Sequence, residues 1–218
     1  MLANGTCSMT SRPSIQSSAS RGGDGRERVL ETAYQLFTRY GVQAVGVDRI
    51  VAEAGVAQLT LYRHFRSKDE LVLAVLERRE RVWTREWLER EVERRATRPE
   101  EQLLAIFDVF DEWFRRDVFE GCLCVNCLLE HQDPASPIGA ESARRLQNVR
   151  AIVHRLAEAS GVEDPDGFAR AWQLLMLGSI VGARGGDLDA ARHARAAGLL
   201  LLEREGRGPQ GRVTVTAE

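Results

Sequence analysis

Apolar side chains recur at intervals of three and four residues along most of the chain between residues 26 and 205. In the first such segment, one stripe is expected to collect five residues: Val29, Ala33, Leu36, Phe37 and Tyr40. Gly41 follows where a helix commonly ends. Nearly every later segment has the same period rather than the alternation of a half-buried strand. The pattern therefore predicts an all-α fold.

The overall composition bounds the class of protein. The chain has 218 residues, 44% of them hydrophobic and 28% charged, and a formal net charge of -2. This balance favours neither nucleic acid nor membrane as a partner, so any nucleic-acid surface must be local. No apolar run approaches the roughly 20 residues of a spanning helix, and the N-terminus lacks a secretory signal. We therefore expect a cytoplasmic protein with reduced cysteines.

Composition also changes along the chain. Residues 1–25 are rich in Ser and Gly without apolar periodicity, which predicts a disordered arm. Glycine and proline end the last helical pattern, so residues 206–218 are expected to form a disordered tail. Between these tails, residues 26–72 contain short helical segments and residues 73–205 contain long ones. We expect two domains with these bounds.

The first domain has the pattern of a helix-turn-helix. Two short helical segments, VDRIVAEAG and QLTLYRHF, follow the first helix, and Gly55 lies in the turn between them. This arrangement places its second short helix in the DNA major groove. Ser67 followed by Glu70 forms a capping box that begins a longer fourth helix. The pattern predicts that residues 26–72 bind DNA.

The second domain continues with long helices. Periodicity predicts a long fourth helix and five more, which makes nine in all: 99–118, 123–132, 138–160, 165–184 and 187–205. The last two are apolar almost all round, and small residues such as Gly178 and Gly182 allow close helix approach. Such helices need burial on more than one side.

The stretch GVDRIVAEAGVAQLTLYRHFRSKDEL resembles the DNA-binding motif of TetR/AcrR-type bacterial transcriptional regulators. The resemblance is detailed over residues 26–72 and rests elsewhere on length, helicity and pattern. It implies the nine-helix TetR-type architecture and a homodimer formed through the last two helices, about residues 165–205. A two-fold dimer would set its recognition helices about one DNA turn apart, on the order of 34 Å. The partners implied are operator DNA and a small-molecule effector.

Eight residues are candidates for DNA contact: Arg28, Gln58, Leu59, Thr60, Tyr62, Arg63, His64 and Lys68. By resemblance, Tyr62, His64 and Lys68 contact phosphates, and Thr60 contacts a base or its neighbouring phosphate. The two arginines lie where a phosphate backbone would pass. The Gln58 amide could pair with adenine, and the Leu59 side chain could touch a thymine methyl group.

Two positions depart from the family pattern. Gly46 and Ala57 stand where the family usually has hydroxyl residues that cap the two short helices. We expect those capping contacts to be lost.

Five aromatic residues are candidates for an effector pocket: Trp83, Trp87, Phe110, Trp113 and Phe114. Their spacing also fits a plain hydrophobic core. The resemblance adds the expectation of an apolar effector cavity among the corresponding helices.

The stretch GCLCVNCLLEH, residues 121–131, places three cysteines within six positions and ends on a histidine. On a regular helix, Cys124, Cys127 and His131 share one face. The cysteines could be small core residues, an oxidant-sensing thiol group that includes Cys122, or part of a metal site. Thiol or metal sensing is therefore the alternative to an organic effector.

Asn126 and Glu130 lie four residues apart within the same apolar helix. A buried amide and carboxylate need partners. They could pair with each other, bind Arg144 or Arg145, or anchor an effector in the pocket. The stretch also resembles the sixth-helix region of one TetR subgroup, in which an Asn and a Glu recur at this spacing.

No motif of an enzyme or of a cofactor site is found in the sequence. The resemblance implies a transcriptional regulator, expected to be a repressor that leaves a palindromic operator when a small apolar ligand binds its C-terminal domain.

Overall fold

The computed structural model describes residues 25–206, apart from residues 118, 120, 132 and 134. The predicted arm and tail lie almost wholly outside the described residues. Within this range the chain forms nine helices and no strand, as the periodicity predicts. The helices are α1 (Gly25–Tyr40), α2 (Val47–Ala54), α3 (Gln58–His64), α4 (Lys68–Arg79, continuing through Glu80–Glu89 and Arg90–Arg95), α5 (Pro99–Phe114), α6 (Leu123–Glu130), α7 (Pro137–Ala159), α8 (Pro165–Arg184) and α9 (Ala190–Gly206).

The first of two hydrophobic cores lies among α1, α2, α3 and the first half of α4. Its fully buried side chains include Val29, Phe37, Ile50, Leu61 and Leu71. Gly55 ends α2 in the left-handed conformation, with φ 61° and ψ 41°, which turns α3 across α2. At the start of α4, the Ser67 hydroxyl accepts a hydrogen bond from the Glu70 N–H at 3.1 Å. The predicted turn and the Ser67 cap are therefore both present.

The second core lies among the second half of α4 and helices α5, α7, α8 and α9. The Glu80–Glu89 part of α4 has the wider π-helical hydrogen bonding, and it carries Trp83 and Trp87. Gly198 of α9 allows close packing, because a Cβ there would lie 2.7 Å from the ring of Trp172. The Trp172 side chain is fully buried.

Helix α6 contributes to the first core, although the sequence assigned it to the second domain. Its buried residues Leu123, Cys124 and Cys127 pack with the side chains of α1 and α4. Cys122, just before the helix, touches both cores. The apolar periodicity correctly predicted a helix here. Only the tertiary structure shows which core its buried face contacts.

Helix α5 ends at Phe114, earlier than the predicted residue 118. The chain turns back after Arg115, and the Phe119 N–H donates a hydrogen bond to the Arg116 carbonyl at 2.9 Å. This turn brings the Phe119 ring 4.9 Å from that of Trp113.

Helices α8 and α9 pack against each other and leave apolar side chains exposed on their outer face. Leu174 is 71% exposed and Leu200 is 66% exposed, with Val181 and Leu199 also exposed. None of the described helices is long and apolar enough to cross a membrane.

Candidate DNA-binding surface and effector region

Helix α3 presents an apolar and aromatic outer face to solvent. Leu61 points inward and is fully buried, whereas Leu59 is 73% exposed and Tyr62 is 46% exposed. Arg63 is exposed beside them. An exposed face of this kind on the second helix of a helix-turn-helix is the surface that enters a DNA groove.

The remaining candidate residues differ in exposure. Arg28 is exposed, and Thr60, His64 and Lys68 are half-buried. Gln58 is exposed, and its amide donates a hydrogen bond of 3.2 Å to the Asp48 carboxylate, so base contact would require this bond to break. Seven of the eight candidates thus lie on α3 or at the first residue of α4, and Arg28 lies on α1.

The two short helices lack the side-chain caps that the family pattern usually provides, as expected from Gly46 and Ala57. Gly46 precedes α2 and Ala57 precedes α3, and neither makes a side-chain capping hydrogen bond.

The five aromatic candidates of the second domain form one cluster. The Trp83 ring lies 5.4 Å from Trp87, 5.9 Å from Phe110 and 4.9 Å from Trp113. Phe114 completes the cluster at 5.7 Å from Phe110. Four of the five rings are buried and Trp87 is half-buried.

A small apolar cavity adjoins the second core. Its volume is about 50 Å³, and its lining includes Leu88, Ile106, Val153 and Met176. Leu88, Ile106 and Met176 belong to three different helices, α4, α5 and α8. The predicted aromatic residues are not part of this lining, which also includes four polar side chains: Glu89, Glu93, Gln102 and Arg155.

Comparison with known proteins identifies the architecture. Residues 29–75 match the model of the bacterial regulatory proteins of the tetR family. An HTH-type transcriptional regulator of Staphylococcus aureus is 40% identical over 55 residues, which are 25% of this chain and 30% of that protein. The match therefore spans about a third of the length of these curated relatives.

Two solved structures are similar over most of the chain. The crystal structure of SCO4454, a TetR-family transcriptional regulator from Streptomyces coelicolor, is 28% identical with a TM-score of 0.75. The alignment covers 83% of this chain and 95% of that one. A TetR transcriptional regulator from Chloroflexus aurantiacus shares the fold, with a TM-score of 0.72 at 22% identity, over 84% of this chain and 96% of that one.

The N-terminal domain matches the TetR family, and the described part of the chain has the fold of solved TetR-family regulators. The N-terminal match and the whole-chain structural match agree on this assignment. Both support the TetR-type architecture that the α3 motif implied.

Asn126 and Glu130 of α6 bind α1 and the loop that follows it, and not the aromatic cluster. The Glu130 carboxylate accepts a hydrogen bond of 2.9 Å from the Gln43 backbone N–H. The Gln43 amide donates in return to the Glu130 carbonyl at 2.7 Å. The Asn126 amide donates to the Thr38 carbonyl at 3.5 Å. These two residues therefore join α6 to α1 and to the loop that follows it.

The arginines considered as partners of Asn126 and Glu130 are engaged elsewhere. Arg145 forms ion pairs with Glu80 of α4 and with Glu141, and Arg144 pairs with Glu141 at 2.7 Å. Gln43 gave no signal in the sequence, because a loop glutamine has no pattern that predicts a contact 87 residues away.

The three cysteines of α6 occupy different electrostatic environments. The pKa of Cys122 is lowered to about 6, first by a hydrogen bond from the Cys124 thiol, with smaller contributions from the Val125 backbone and the charge of Arg79. The same hydrogen bond, together with burial, raises the pKa of Cys124 well above its ordinary value. Burial raises the pKa of Cys127 to about 12. Cys122 is thus the thiol most readily ionised.

The alternative of a metal site at Cys124, Cys127 and His131 is not supported. Among the described residues, no group of three or more His, Cys, Asp or Glu side chains is arranged to hold an ion. Cys127 is fully buried in the first core, and the His131 Nδ1 lies 2.8 Å from the Cys127 carbonyl oxygen. The helical spacing placed the three on one face, but that face is packed against other helices.

Proposed function

We propose that this chain is a dimeric transcriptional repressor in the cytoplasm that binds a palindromic operator and leaves it when a small apolar ligand binds the C-terminal domain. The observation that carries the proposal is the outer face of α3, where Leu59 and Tyr62 are exposed on a helix anchored by fully buried Leu61. Because one face of α3 is buried in the core, its opposite face can enter a DNA groove.

Within this proposal, the α3 residues divide into two groups. Tyr62, Arg63, His64 and Lys68, together with Arg28, hold the helix in register through phosphates. Gln58, Leu59 and Thr60 approach base edges in the major groove.

The proposed dimer forms through α8 and α9. Four exposed apolar side chains on these helices support it: Leu174, Val181, Leu199 and Leu200. Exposed apolar side chains on both of the last two helices are what an interface between two copies would bury.

The proposed transmission runs along α4. This helix begins at Lys68, near the DNA-binding face, and its π-helical part carries Trp83 and Trp87 in the aromatic cluster. Arg78, between these points, forms ion pairs of 2.8 Å with Glu27 and 2.7 Å with Glu31 of α1. A ligand can shift the equilibrium between two orientations of α1–α3 only by its difference in affinity for them.

A footprint on DNA upstream of the gene encoding this chain tests the proposal. The wild-type protein is expected to protect a two-fold symmetric site, and Tyr62→Ala is expected to abolish protection. Lys68→Ala is expected to weaken binding and to lower the slope of log K against log salt by about 2, because each subunit of the dimer loses one phosphate contact.

Leu129→Ala is the control, since Leu129 is exposed, at 79%, and lies on α6, outside α1, α2 and α3. Unchanged protection by Tyr62→Ala and Lys68→Ala would contradict the DNA-binding role of α3.

A second candidate function is thiol sensing at Cys122. The observation that favours it is the position of Cys122 immediately before α6, in contact with both cores, with its pKa lowered to about 6. A thiolate at this junction could react with an oxidant or electrophile and alter how α6 packs on α1.

A further inference from the structure

A buried arginine lies between the two cores without an acidic partner. Arg79, on the last turn of the first part of α4, is only 9% exposed. Its neighbour Arg78 binds two carboxylates, but no carboxylate in the described part of the chain forms an ion pair with Arg79. A buried cation normally has a counter-ion or a full set of hydrogen bonds.

The surroundings of Arg79 are aromatic. Its guanidinium carbon lies 4.0 Å from the ring centre of Trp83 and 6.0 Å from those of Trp113 and Tyr34. Cation–π contacts of this kind stabilise the charge but satisfy no N–H group. A second cation, Arg116, lies 4.9 Å from the ring centre of Trp87 at the other side of the cluster.

Two buried donors of this region have no hydrogen-bond partner in the structure. They are the Arg79 Nη1 and the Trp83 indole Nε1. Both groups donate only, so a ligand that satisfies them must supply acceptor oxygens. The positive charge of Arg79 helps to lower the pKa of the Cys122 thiol, but this thiol forms no hydrogen bond with the Arg79 Nη1.

We propose that Arg79 and Trp83 form the anion-binding part of the effector site and that the ligand is an aromatic carboxylate. The planar guanidinium can bind a carboxylate through two parallel hydrogen bonds. The ligand ring would separate the rings of Trp83 and Trp113, whose centres lie 4.9 Å apart in this structure. The inference rests on the proposed effector role of the C-terminal domain, and it replaces a purely apolar ligand with an anionic one.

The position of Arg79 also suggests how binding reaches the DNA-binding helices. Tyr34, which faces the guanidinium, belongs to α1, and the adjacent Arg78 is paired to α1 through Glu27 and Glu31. A carboxylate that draws the Arg79 side chain toward the cluster therefore acts at the junction of α1 and α4.

Calorimetric titration of the full-length protein with matched pairs of compounds tests the inference. The pairs are benzoate and benzamide, phenylacetate and phenylacetamide, and 1-naphthoate and 1-naphthamide. At least one carboxylate is expected to bind about 10- to 100-fold more tightly than its amide, since a hydrogen bond to a charged group discriminates by that amount. Arg79→Met should remove this preference, and Trp83→Phe should reduce it.

Arg81→Met is the matched control, because Arg81 is exposed two residues further along α4 and should keep the wild-type preference. Circular dichroism establishes that each variant is folded, and the wild-type comparison of acid with amide needs no variant at all. Equal affinity of acid and amide in all three pairs, or no binding of any carboxylate, overturns the inference. The footprint tests DNA binding independently of this titration. A wild-type protein that protects its operator but binds no carboxylate would contradict the anion site alone.

Discussion

At the scale of single residues, the three cysteines of α6 differ although the sequence presents them as one motif. Cys127 is fully buried among apolar side chains of the first core, whereas Cys122 is half-buried at the junction of both cores. Burial disfavours a thiolate, and a nearby thiol donor or positive charge favours it. The chemistry of each thiol therefore follows from its neighbours and not from its spacing.

This difference predicts a selective alkylation. With its pKa lowered to about 6, Cys122 should gain reactivity as the pH rises through that value, well below the pH at which an ordinary thiol ionises. Cys127, with a pKa of about 12, should stay unmodified across pH 5 to 9. Iodoacetamide labelling followed by mass spectrometry of the peptides measures both rates. A Cys127→Ser variant serves as the control and should keep the Cys122 profile; a Cys122 rate that rises only above pH 8 would contradict the prediction.

At the scale of elements, α6 is fastened to the loop after α1. Gly41 ends α1 with φ 84°, and a Cβ at this position would lie 2.6 Å from the Glu130 Oε1. The same carboxylate accepts a hydrogen bond from the Gln43 backbone N–H. The left-handed backbone therefore favours glycine at this position, and a Cβ would displace the Glu130 carboxylate from the Gln43 N–H.

Gly41→Ala should consequently destabilise the protein for two reasons. The left-handed backbone costs about 1–2 kcal/mol, and the clash with Glu130 adds to it. Gly55→Ala is the matched control: Gly55 also has positive φ, but a Cβ there would meet nothing within 4 Å, so only the backbone cost applies. The free energy of unfolding in urea measures both.

A double-mutant cycle separates the two contributions. In a Glu130→Ala background, Gly41→Ala should cost only as much as Gly55→Ala does in the wild type. If the cost of Gly41→Ala were the same with and without Glu130, the predicted contact between α6 and the loop would be wrong.

At the scale of the whole molecule, the exposed faces of α8 and α9 are the main feature that a single copy leaves unexplained. Leu174→Glu or Leu200→Glu is expected to convert a dimer to a monomer, because a carboxylate buried at an apolar interface has no partner. Light scattering coupled to gel filtration measures the mass. The same variants should lose operator protection, since one half-site holds a monomer weakly.

Leu129→Glu provides the control for these variants. Leu129 is 79% exposed on α6, away from α8 and α9, so its charge should leave the dimer intact. A dimer that persists in both Leu174→Glu and Leu200→Glu would place the interface elsewhere.

The sequence by itself determined the elements of this protein, because helix formation and capping depend on residues three and four apart. The all-α class, the Gly55 turn, the Ser67 cap and the grouping of the aromatic rings all followed from spacing or from the motif around α3. Only the tertiary structure decided where α6 packs, that Glu130 holds Gln43, and that Arg79 is buried without a carboxylate. Those contacts join residues far apart in the chain. A local sequence pattern does not predict which distant side chain will form a hydrogen bond, or which charge will be buried without a partner.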